Sequence, residues 1–586
     1  MERYLGIGGF AGLDPNPFKH IRRYAAQHPD IGVALGDIGH DATAALVAGG
    51  KIVFAIEEER LNRQKHFMGV PRLAIEACEE AASAPLSSMR LAYYLDPTPE
   101  HLERRKQSSA PYLEAKGIAA MDKDFANVQR FVEGHGQPWP KLSRIDHHLA
   151  HAASAYYCSA FERSLVVVID GQGESSSTSV YRGDERGLHL LARHGIVSSL
   201  GILYAAVTAY LGFEPIEDEY KIMGLAAYGE SDEHKAFFDE IIKPEASGGF
   251  VIPSLLARPI RRIEAWDKRL GPPRLPTEPI SDRHISIAYS LQKAVERAML
   301  RLLEHHEGEQ KTRHLCLAGG VALNCSMNGV IDRTELFDRM FVQPAAGDPG
   351  AALGAALVSY YQDNPGAPHH RMSDTYLGPA YDDVAVRAAL EKYGAALTYE
   401  KPADYVGAVA KLLEDGKVLG WFQGRMEFGP RALGNRSILA DPRRADMKDR
   451  VNQMVKKREE FRPFAPSTTS EGADQYFELR ARDQYETMTI AVKARPERKH
   501  EIPAVVHVNG TARVHVVRRE VNPHYWELIT RFGQATGAPV VLNTSFNVKG
   551  EPVVCTPEDA VRCFLGTGID HLAIQGYITS KKAHPA

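Results

Sequence analysis

The residues best placed to do chemistry are His147 and His151 in Asp146-His147-His148-Leu149-Ala150-His151, followed nineteen residues on by Asp170. A spacing of four sets two imidazoles on one helix face, one turn apart. Ala150, Ala152, Ala153 and Ala155 favour that helix. Asp170 ends the run Leu165-Val166-Val167-Val168-Ile169, so it stands at a strand tip. Two imidazoles and one carboxylate suit a divalent metal ion. A zinc-protease site would need Glu directly after the first His, and His148 occupies that place. The competing reading is an alanine-rich helix with three incidental histidines.

A second chemistry lies in three basic, glycine-rich segments. Arg425, Arg431 and Arg436 alternate with Gly424, Gly429 and Gly434; Lys456-Lys457-Arg458-Glu459-Glu460-Phe461-Arg462-Pro463 follows; Asn543-Thr544-Ser545-Phe546-Asn547 comes near the end. Cations joined to glycine, serine and asparagine make multidentate phosphate clamps. A solvated charged surface is the alternative, but the prolines and aromatics in these segments indicate fixed loops. The chain has neither a Walker A motif nor a G-x-G-x-x-G opening a helix.

Two similar devices would position the first site. In one, a strand from Ile31 runs to Asp37, Gly39-His40-Asp41 forms a turn, Ala42 to Val47 makes a second strand, and Ile52 to Ile56 a third beyond Gly49-Gly50. In the other, Leu165 to Ile169 leads through Asp170-Gly171-Gln172-Gly173 into Ser176 to Tyr181. Such turns bring backbone N–H groups close to an anion, and their repetition points to a duplicated domain closing on a ligand. Later, His314 to Ala318 reads as a strand, Gly319-Gly320 as a break and Val321 to Asn324 as the start of a helix. In Gly347-Asp348-Pro349-Gly350, Pro349 suits a first helical turn and Asp348, taken alone, an N-cap. The Gly/Ala face that follows permits close packing or close ligand approach. Residues 362–380 are linker-like and mark a domain boundary. Beyond it, Ala403 to Glu414 reads as an amphipathic helix and Val418 to Phe422 as a strand.

With 586 residues the chain exceeds one core, so two or three domains are expected. Hydrophobic residues at 44% and charged residues at 25% describe a globular protein, and a net charge of −4 gives no global field toward nucleic acid or a membrane. No apolar run is long enough to span a bilayer, and the early Asp14-Pro15-Asn16-Pro17 is unlike a signal peptide. Six cysteines without a C-x-x-C pair fit a reduced, cytoplasmic setting without structural zinc.

Taken together, Gly39-His40-Asp41-Ala42, the His147–Ala155 segment, Asp170-Gly171, Glu219-Tyr220-Lys221-Ile222-Met223-Gly224, Gly319–Asn324, Gly347–Gly350, Gly429–Ser437, Arg462–Pro466 and Asn543–Asn547 resemble the NodU/CmcH-type O-carbamoyltransferases along nearly the whole chain. The resemblance implies an α/β protein. Residues 1–30 would be an N-terminal extension. Residues 31–370 would be a Kae1-like carbamoyl-transfer domain of the actin/Hsp70/sugar-kinase superfamily, with duplicated ribonuclease-H-like subdomains. Residues 371–586 would be a YrdC-like domain forming carbamoyl-adenylate. It implies ATP and carbamoyl phosphate as substrates, a hydroxyl of a small natural product, such as a glycosylated antibiotic, as acceptor, and a divalent metal (Fe2+, with Mg2+ accompanying ATP). Neither nucleic acid nor membrane would be a partner.

Residue by residue, the resemblance implies His147, His151, Asp170 and Asp348 as metal ligands, and assigns His148 no such role. Lys456, Arg462, Arg431, Asn543 and Thr544 would line the carbamoyl-phosphate and ATP pocket. Gly171, Lys221, Gly319, Gly320 and Asn324 would lie at the nucleotide. His40 would be the general base, oriented by Asp41 or Asp37. The design has a chemical reason: adenylation makes the carbamate oxygen a good leaving group, and cations stabilise the phosphate charge. A sugar-kinase-like phosphotransferase would leave the basic C-terminal loops idle. A threonylcarbamoyl-type tRNA enzyme would want a basic face, and a non-enzymatic nucleotide switch would not need the His/Asp set. Acceptor specificity is expected from Tyr204 to Glu219 and Pro244 to Arg283.

Overall fold

A computed structural model of the chain describes residues 2–8, 41–96, 142–252 and 266–582. Two compact units emerge: Met1–Ala55 with His66–Met372, and Ile56–Lys65 with Ser373–Ala586.

The first unit holds two five-stranded sheets. One has the order β3-β2-β1-β4-β5, from β1 (Arg3–Gly8), β2 (Thr43–Ala48), β3 (Lys51–Glu57), β4 (Arg90–Tyr93) and β5 (Leu142–Arg144). The other has the order β8-β7-β6-β11-β12, from β6 (Ser164–Ile169), β7 (Ser176–Asp184), β8 (Gly187–Gly195), β11 (His314–Ala318) and β12 (Arg339–Val342). Strand sense matches as well. β1 is antiparallel to β2 and parallel to β4, which is parallel to β5. β6 is antiparallel to β7 and parallel to β11, which is parallel to β12. The second unit-1 sheet therefore repeats the order and strand sense of the first, as the duplication expected from the sequence requires. A separate ribbon pairs β9 (Lys243–Pro244) with β10 (Phe250–Val251).

This topology corrects one expectation. Arg3–Gly8 is no extension; it is the central strand of the first sheet, with Tyr4, Leu5 and Ile7 fully buried between β2 and β4. Its partners are distant in sequence, so the short apolar run gave no local hairpin signal. The strand expected from Ile31, with Asp37, Gly39 and His40, lies outside the described residues.

The longer helices described in this unit are α1 (Arg72–Ala82), α2 (His147–Ser159), α3 (Leu200–Tyr210), α4 (Glu219–Ala226), α5 (Asp282–Gln310), α6 (Cys325–Arg333) and α7 (Asp348–Asp363). α2 and α7 pack on each other closely enough that a Cβ at Gly354 would stand 1.7 Å from the Ala150 carbonyl oxygen. The Gly/Ala face of α7 therefore serves helix packing. Tyr204 lies inside α3, so the expected acceptor loop begins only after that helix ends.

In the second unit an eight-stranded sheet has the order β13-β22-β21-β14-β15-β20-β16-β19. Its strands are β13 (Leu397–Glu400), β14 (Leu419–Phe422), β15 (Arg436–Ala440), β16 (Ala465–Thr469), β19 (His515–Val517), β20 (Val540–Ser545), β21 (His571–Ile574) and β22 (Tyr577–Lys581), while β17 (Val492–Lys493) and β18 (Thr511–Ala512) pair apart. Of its helices α8 (Asp383–Lys392), α9 (Tyr405–Glu414), α10 (Pro523–Thr536) and α11 (Pro557–Leu565), α9 and α10 cover one sheet face. Val406, Val409 and Leu413 from α9 and Leu528, Ile529 and Phe532 from α10 bury against Leu419, Trp421, Leu439 and Val541. Among the described residues, no helix is long and apolar enough to cross a membrane. All six cysteines are buried and unpaired.

Candidate metal centre and phosphate loops

The first unit gathers His147, His151, Asp170 and Asp348, all buried. Asp146 caps α2 by accepting from the Leu149 N–H at 2.8 Å, which fixes where the helix starts and puts His147 in its first turn. Nε2 of His147 and Nε2 of His151 face each other at 3.1 Å. Asp170 follows β6 directly; its Oδ2 lies 3.3 Å from His147 Nε2, and its Oδ1 accepts from the Gly320 N–H at 3.0 Å. Gly319, at φ +88°, makes the turn that presents this N–H, and a side chain there would meet the Ile169 carbonyl oxygen at 2.3 Å.

Asp348 is not the helix cap that its sequence context suggests. Gly347 takes the cap position, and Asp348, the first residue of α7, turns its Oδ1 to within 3.6 Å of His147 Nε2 and 3.7 Å of His151 Nε2. Tyr94, following β4, donates its hydroxyl to the other Asp348 oxygen at 3.4 Å and meets the His147 ring edge-on.

The set fits a divalent cation. Donors sharing one ion through bonds of about 2.1 Å stand about 3.0 Å apart when adjacent and about 4.2 Å when opposite, and the separations among these donors given above run from 3.1 to 3.7 Å. Electrostatics agree. Burial would push the His147 imidazole down, but Asp170, Asp348 and Glu174 raise it to about 9. Burial would raise Asp170, yet the His147 contact and the charge of His151 hold it well below the usual carboxylate range. A pocket that draws a proton this strongly also draws a metal cation. His148 stands apart: its Nδ1 meets Ser179 Oγ at 2.8 Å, and burial with the neighbouring His147 pushes it down to about 3.

Sequence reasoning passed over Glu174, whose carboxylate accepts from the backbone N–H of Asp96 at 2.7 Å and of His147 at 3.1 Å. Burial and Asp146 push Glu174 up to about 8. It also passed over His66. Asp41, expected beside His40, instead holds His66 Nδ1 at 2.7 Å. His40 itself lies outside the described residues.

Of the expected nucleotide residues, Gly171, Gly319 and Gly320 sit beside Asp170. Gly171 has open space where a side chain would project. Asn324 is the cap of α6, accepting from the Met327 N–H at 3.0 Å and bonded twice to Gln292. Lys221 pairs with Asp218 at 2.9 Å.

In the second unit, the three loops interlock. Lys456 is buried, and its ammonium reaches Ser545 O (2.6 Å), Ser545 Oγ (3.1 Å), Asn547 O (3.0 Å) and Asn547 Oδ1 (2.8 Å). It therefore pins the turn after β20. Buried Asn543 donates to Ala432 O at 3.1 Å and Ser467 Oγ at 2.9 Å, and Thr544 is half-buried. Glu427 Oε1 collects the backbone N–H groups of Leu433 (2.7 Å), Asn435 (2.8 Å) and Arg436 (3.2 Å). Arg436, fully buried over the Phe422 ring, donates to the carbonyls of Gln423 and Gly424, and Arg425 donates to Gly378 and Leu377. Arg431 and Arg462 are half-buried, the latter 3.6 Å from Glu459. The segment Ile56–Lys65 belongs to this unit: Glu57 Oε1 accepts from the Gly429 N–H at 2.8 Å, and Arg63 donates to Val553 O at 2.6 Å.

A family model described as Carbamoyltransferase N-terminus matches residues 31–357, and one described as Carbamoyltransferase C-terminus matches residues 410–581. Nodulation protein NolNO of Sinorhizobium fredii (strain NBRC 101917 / NGR234) is 41% identical over 562 residues, covering 93% of this chain and 79% of that protein. An uncharacterized protein of Synechocystis sp. (strain ATCC 27184 / PCC 6803 / Kazusa) is 37% identical, covering 93% and 96%. Nodulation protein U of Rhizobium tropici is 28% identical, covering 93% and 95%. Among solved structures, T. kodakarensis HypF aligns with 62% of this chain and 48% of that one at 14% identity and a TM-score of 0.30, too slight a likeness to argue from.

Proposed function

The chain belongs to the carbamoyltransferase family, and on that premise we propose that it is an ATP-dependent O-carbamoyltransferase acting on a hydroxyl of a small natural product. Water hydrolyses carbamoyl phosphate to carbamate and phosphate. The carbamate oxygen attacks the α-phosphorus of ATP, giving carbamoyl-adenylate and pyrophosphate. The acceptor hydroxyl then attacks the carbamoyl carbon, its proton passes to a base, and AMP leaves.

The observation that carries the reading is the convergence of His147, His151, Asp170 and Asp348 in the family-matched N-terminal region. These four would hold a divalent ion, whose chemistry is to neutralise phosphate charge or polarise the carbamoyl carbonyl. Two carboxylates and two neutral imidazoles balance a 2+ charge in a buried setting. Gly320 orients Asp170, and Glu174 fixes the start of α2 through the His147 N–H. In the second unit, Lys456 would act by holding the Asn543–Asn547 turn, leaving Arg431 and Arg462 as phosphate contacts. Iron as the metal, His40 as the base and a glycosylated antibiotic as the acceptor belong to this proposal.

Incubation with ATP, carbamoyl phosphate and an aminoglycoside or related glycoside, followed by mass spectrometry and phosphorus NMR, tests it. Carbamate ester with AMP, pyrophosphate and phosphate is expected. Phosphorylated acceptor with ADP, formed without carbamoyl phosphate, would mean a kinase instead.

A further inference from the structure

A second group of donors lies in the first unit, at the last turn of α5, away from the residues described above. α5 ends His305-His306-Glu307-Gly308-Glu309-Gln310, with Lys311 in the left-handed region closing it. His305 and Glu309 are four apart, and His306 and Glu309 three apart, so Glu309 reaches both rings from one turn below. His305 Nε2 lies 3.3 Å from Glu309 Oε1, and His306 Nδ1 lies 3.7 Å from Glu309 Oε2. One donor atom from each of the three falls within 4.8 Å of the others.

The independent observation is His306 itself. Its side chain is only 5% exposed, yet neither ring nitrogen has a hydrogen-bond partner. Burying an imidazole with both nitrogens unsatisfied is costly unless something else takes them up. His194 on β8 also has a buried, unpartnered Nε2, while its Nδ1 lies 3.8 Å from Glu245 Oε2 and its ring stacks on Phe250. His305 and His194 flank the same tight turn, since a Cβ at Gly248 would strike the His305 ring at 2.2 Å and one at Gly249 the His194 ring at 2.0 Å. Two imidazoles and one carboxylate thus converge where α5 ends, with His194 on the other side of the Gly248-Gly249 turn, next to the β9–β10 ribbon.

A salt bridge alone does not explain this arrangement. Glu309 is half-exposed and offers one oxygen to each ring, at lengths too great for a hydrogen bond at His306. The carbonyl groups ending a 29-residue helix also place partial negative charge here. Imidazole with carboxylate suits zinc, nickel or cobalt better than magnesium or calcium.

We propose that His305, His306 and Glu309 form a second binding site for a divalent transition-metal ion, with His194 at its edge, fastening the end of α5 to the β9–β10 turn. The inference is independent of the carbamoyl-transfer reading, because it uses none of that site's residues.

The test is a cobalt and zinc titration of the full chain, following cobalt absorption and metal content after desalting. Wild type should bind two equivalents, and Glu309→Gln and His305→Ala one each, with circular dichroism unchanged. Both substitutions lie at partly exposed positions, so folding should survive them. His151→Ala should lose the other equivalent and keep this one. Zinc should raise the melting temperature of His151→Ala, but not when Glu309→Gln is added. The same metal content in Glu309→Gln as in wild type, or no metal bound by His151→Ala, would overturn the proposal.

Discussion

Substituting Gly354 with alanine should weaken metal binding at the proposed site without changing any of its proposed ligands. The added Cβ would stand 1.7 Å from the Ala150 carbonyl oxygen, where ordinary contact begins near 3.4 Å, so the two helices must part by up to 1.7 Å. His147 and His151 ride on α2 and Asp348 on α7. Asp348 Oδ1 now lies 3.6 and 3.7 Å from the two imidazole nitrogens. Parting the helices by that amount carries these separations toward about 5 Å, past the roughly 4.2 Å that two donors on one ion can span. Overpacking should also cost about 1–3 kcal/mol of stability. Displacing ligand support typically costs 10–100-fold in metal affinity, and a loss of at least that size is expected. Equilibrium dialysis with plasma mass spectrometry reads the affinity, and circular dichroism confirms the fold. His151→Ala gives the floor. Wild-type affinity in a folded Gly354→Ala protein would refute the claim that α2–α7 contact sets the ligand geometry.

Three further outcomes are expected. Lys456→Met removes a buried ammonium whose hydrogen bonds are worth about 1.5–3 kcal/mol each; a fall in melting temperature of at least about 6 °C should accompany a loss of pyrophosphate exchange greater than about 100-fold. Normal exchange would show that the Asn543–Asn547 turn lies outside the adenylating site. His515 is buried in the second unit beside Ser467, and burial pushes it down to about 3. The unfolded chain therefore binds the extra proton below about pH 6.5, and stability present above that pH falls by about 1.4 kcal/mol per unit toward pH 3; the unfolding free energies from urea titrations at pH 7.5 and 5 should differ by about 2 kcal/mol less in His515→Gln than in wild type, and an equal difference in the two proteins would contradict it. His40→Asn should slow transfer about 10²–10⁴-fold while adenylate accumulates in rapid quench. Because Asp41 holds His66, the same result from His66→Asn and Asp41→Asn, with His40→Asn active, would move the base to the His66–Asp41 pair.

The chemistry legible in the sequence was local chemistry. Four-residue spacing places His147 and His151 on one helix face, and a β-branched run ending in Asp170 gives a strand tip, without any tertiary information. Asp348 is different. Read beside Pro349 it looks like a cap, and only the packing of α7 against α2 turns it toward two imidazoles nearly two hundred residues away in sequence. Arg3–Gly8 escaped because parallel pairing with β4 leaves no hairpin signature. The arginines mark a further limit. Arg425, Arg431 and Arg436 look alike in a glycine-rich loop, but Arg425 and Arg436 give their guanidinium protons to backbone carbonyls, so residue type could not say which cation serves a ligand and which serves the loop.

The duplication explains why the metal cluster stands where it does. α2 follows β5, the last strand of the first sheet, and α7 follows β12, the last strand of the second, so the two helices occupy equivalent places in the two halves. Each crosses over: α2 packs on β6 and β11 of the second sheet, α7 on β1, β2 and β4 of the first. Their first residues are His147 and Asp348. The cluster therefore sits where both helices begin, at the carboxyl ends of the parallel strands, where α/β sheets bind ligands. Helix N-termini carry partial positive charge and disfavour a lone cation. The carboxylates of Asp170 and Asp348 offset that field at the ion, and the remaining N-terminal field favours an anion beside it. A cation held there by carboxylates would leave a field that favours a phosphate group beside it, which is the combination that the proposed transfer from carbamoyl-adenylate needs.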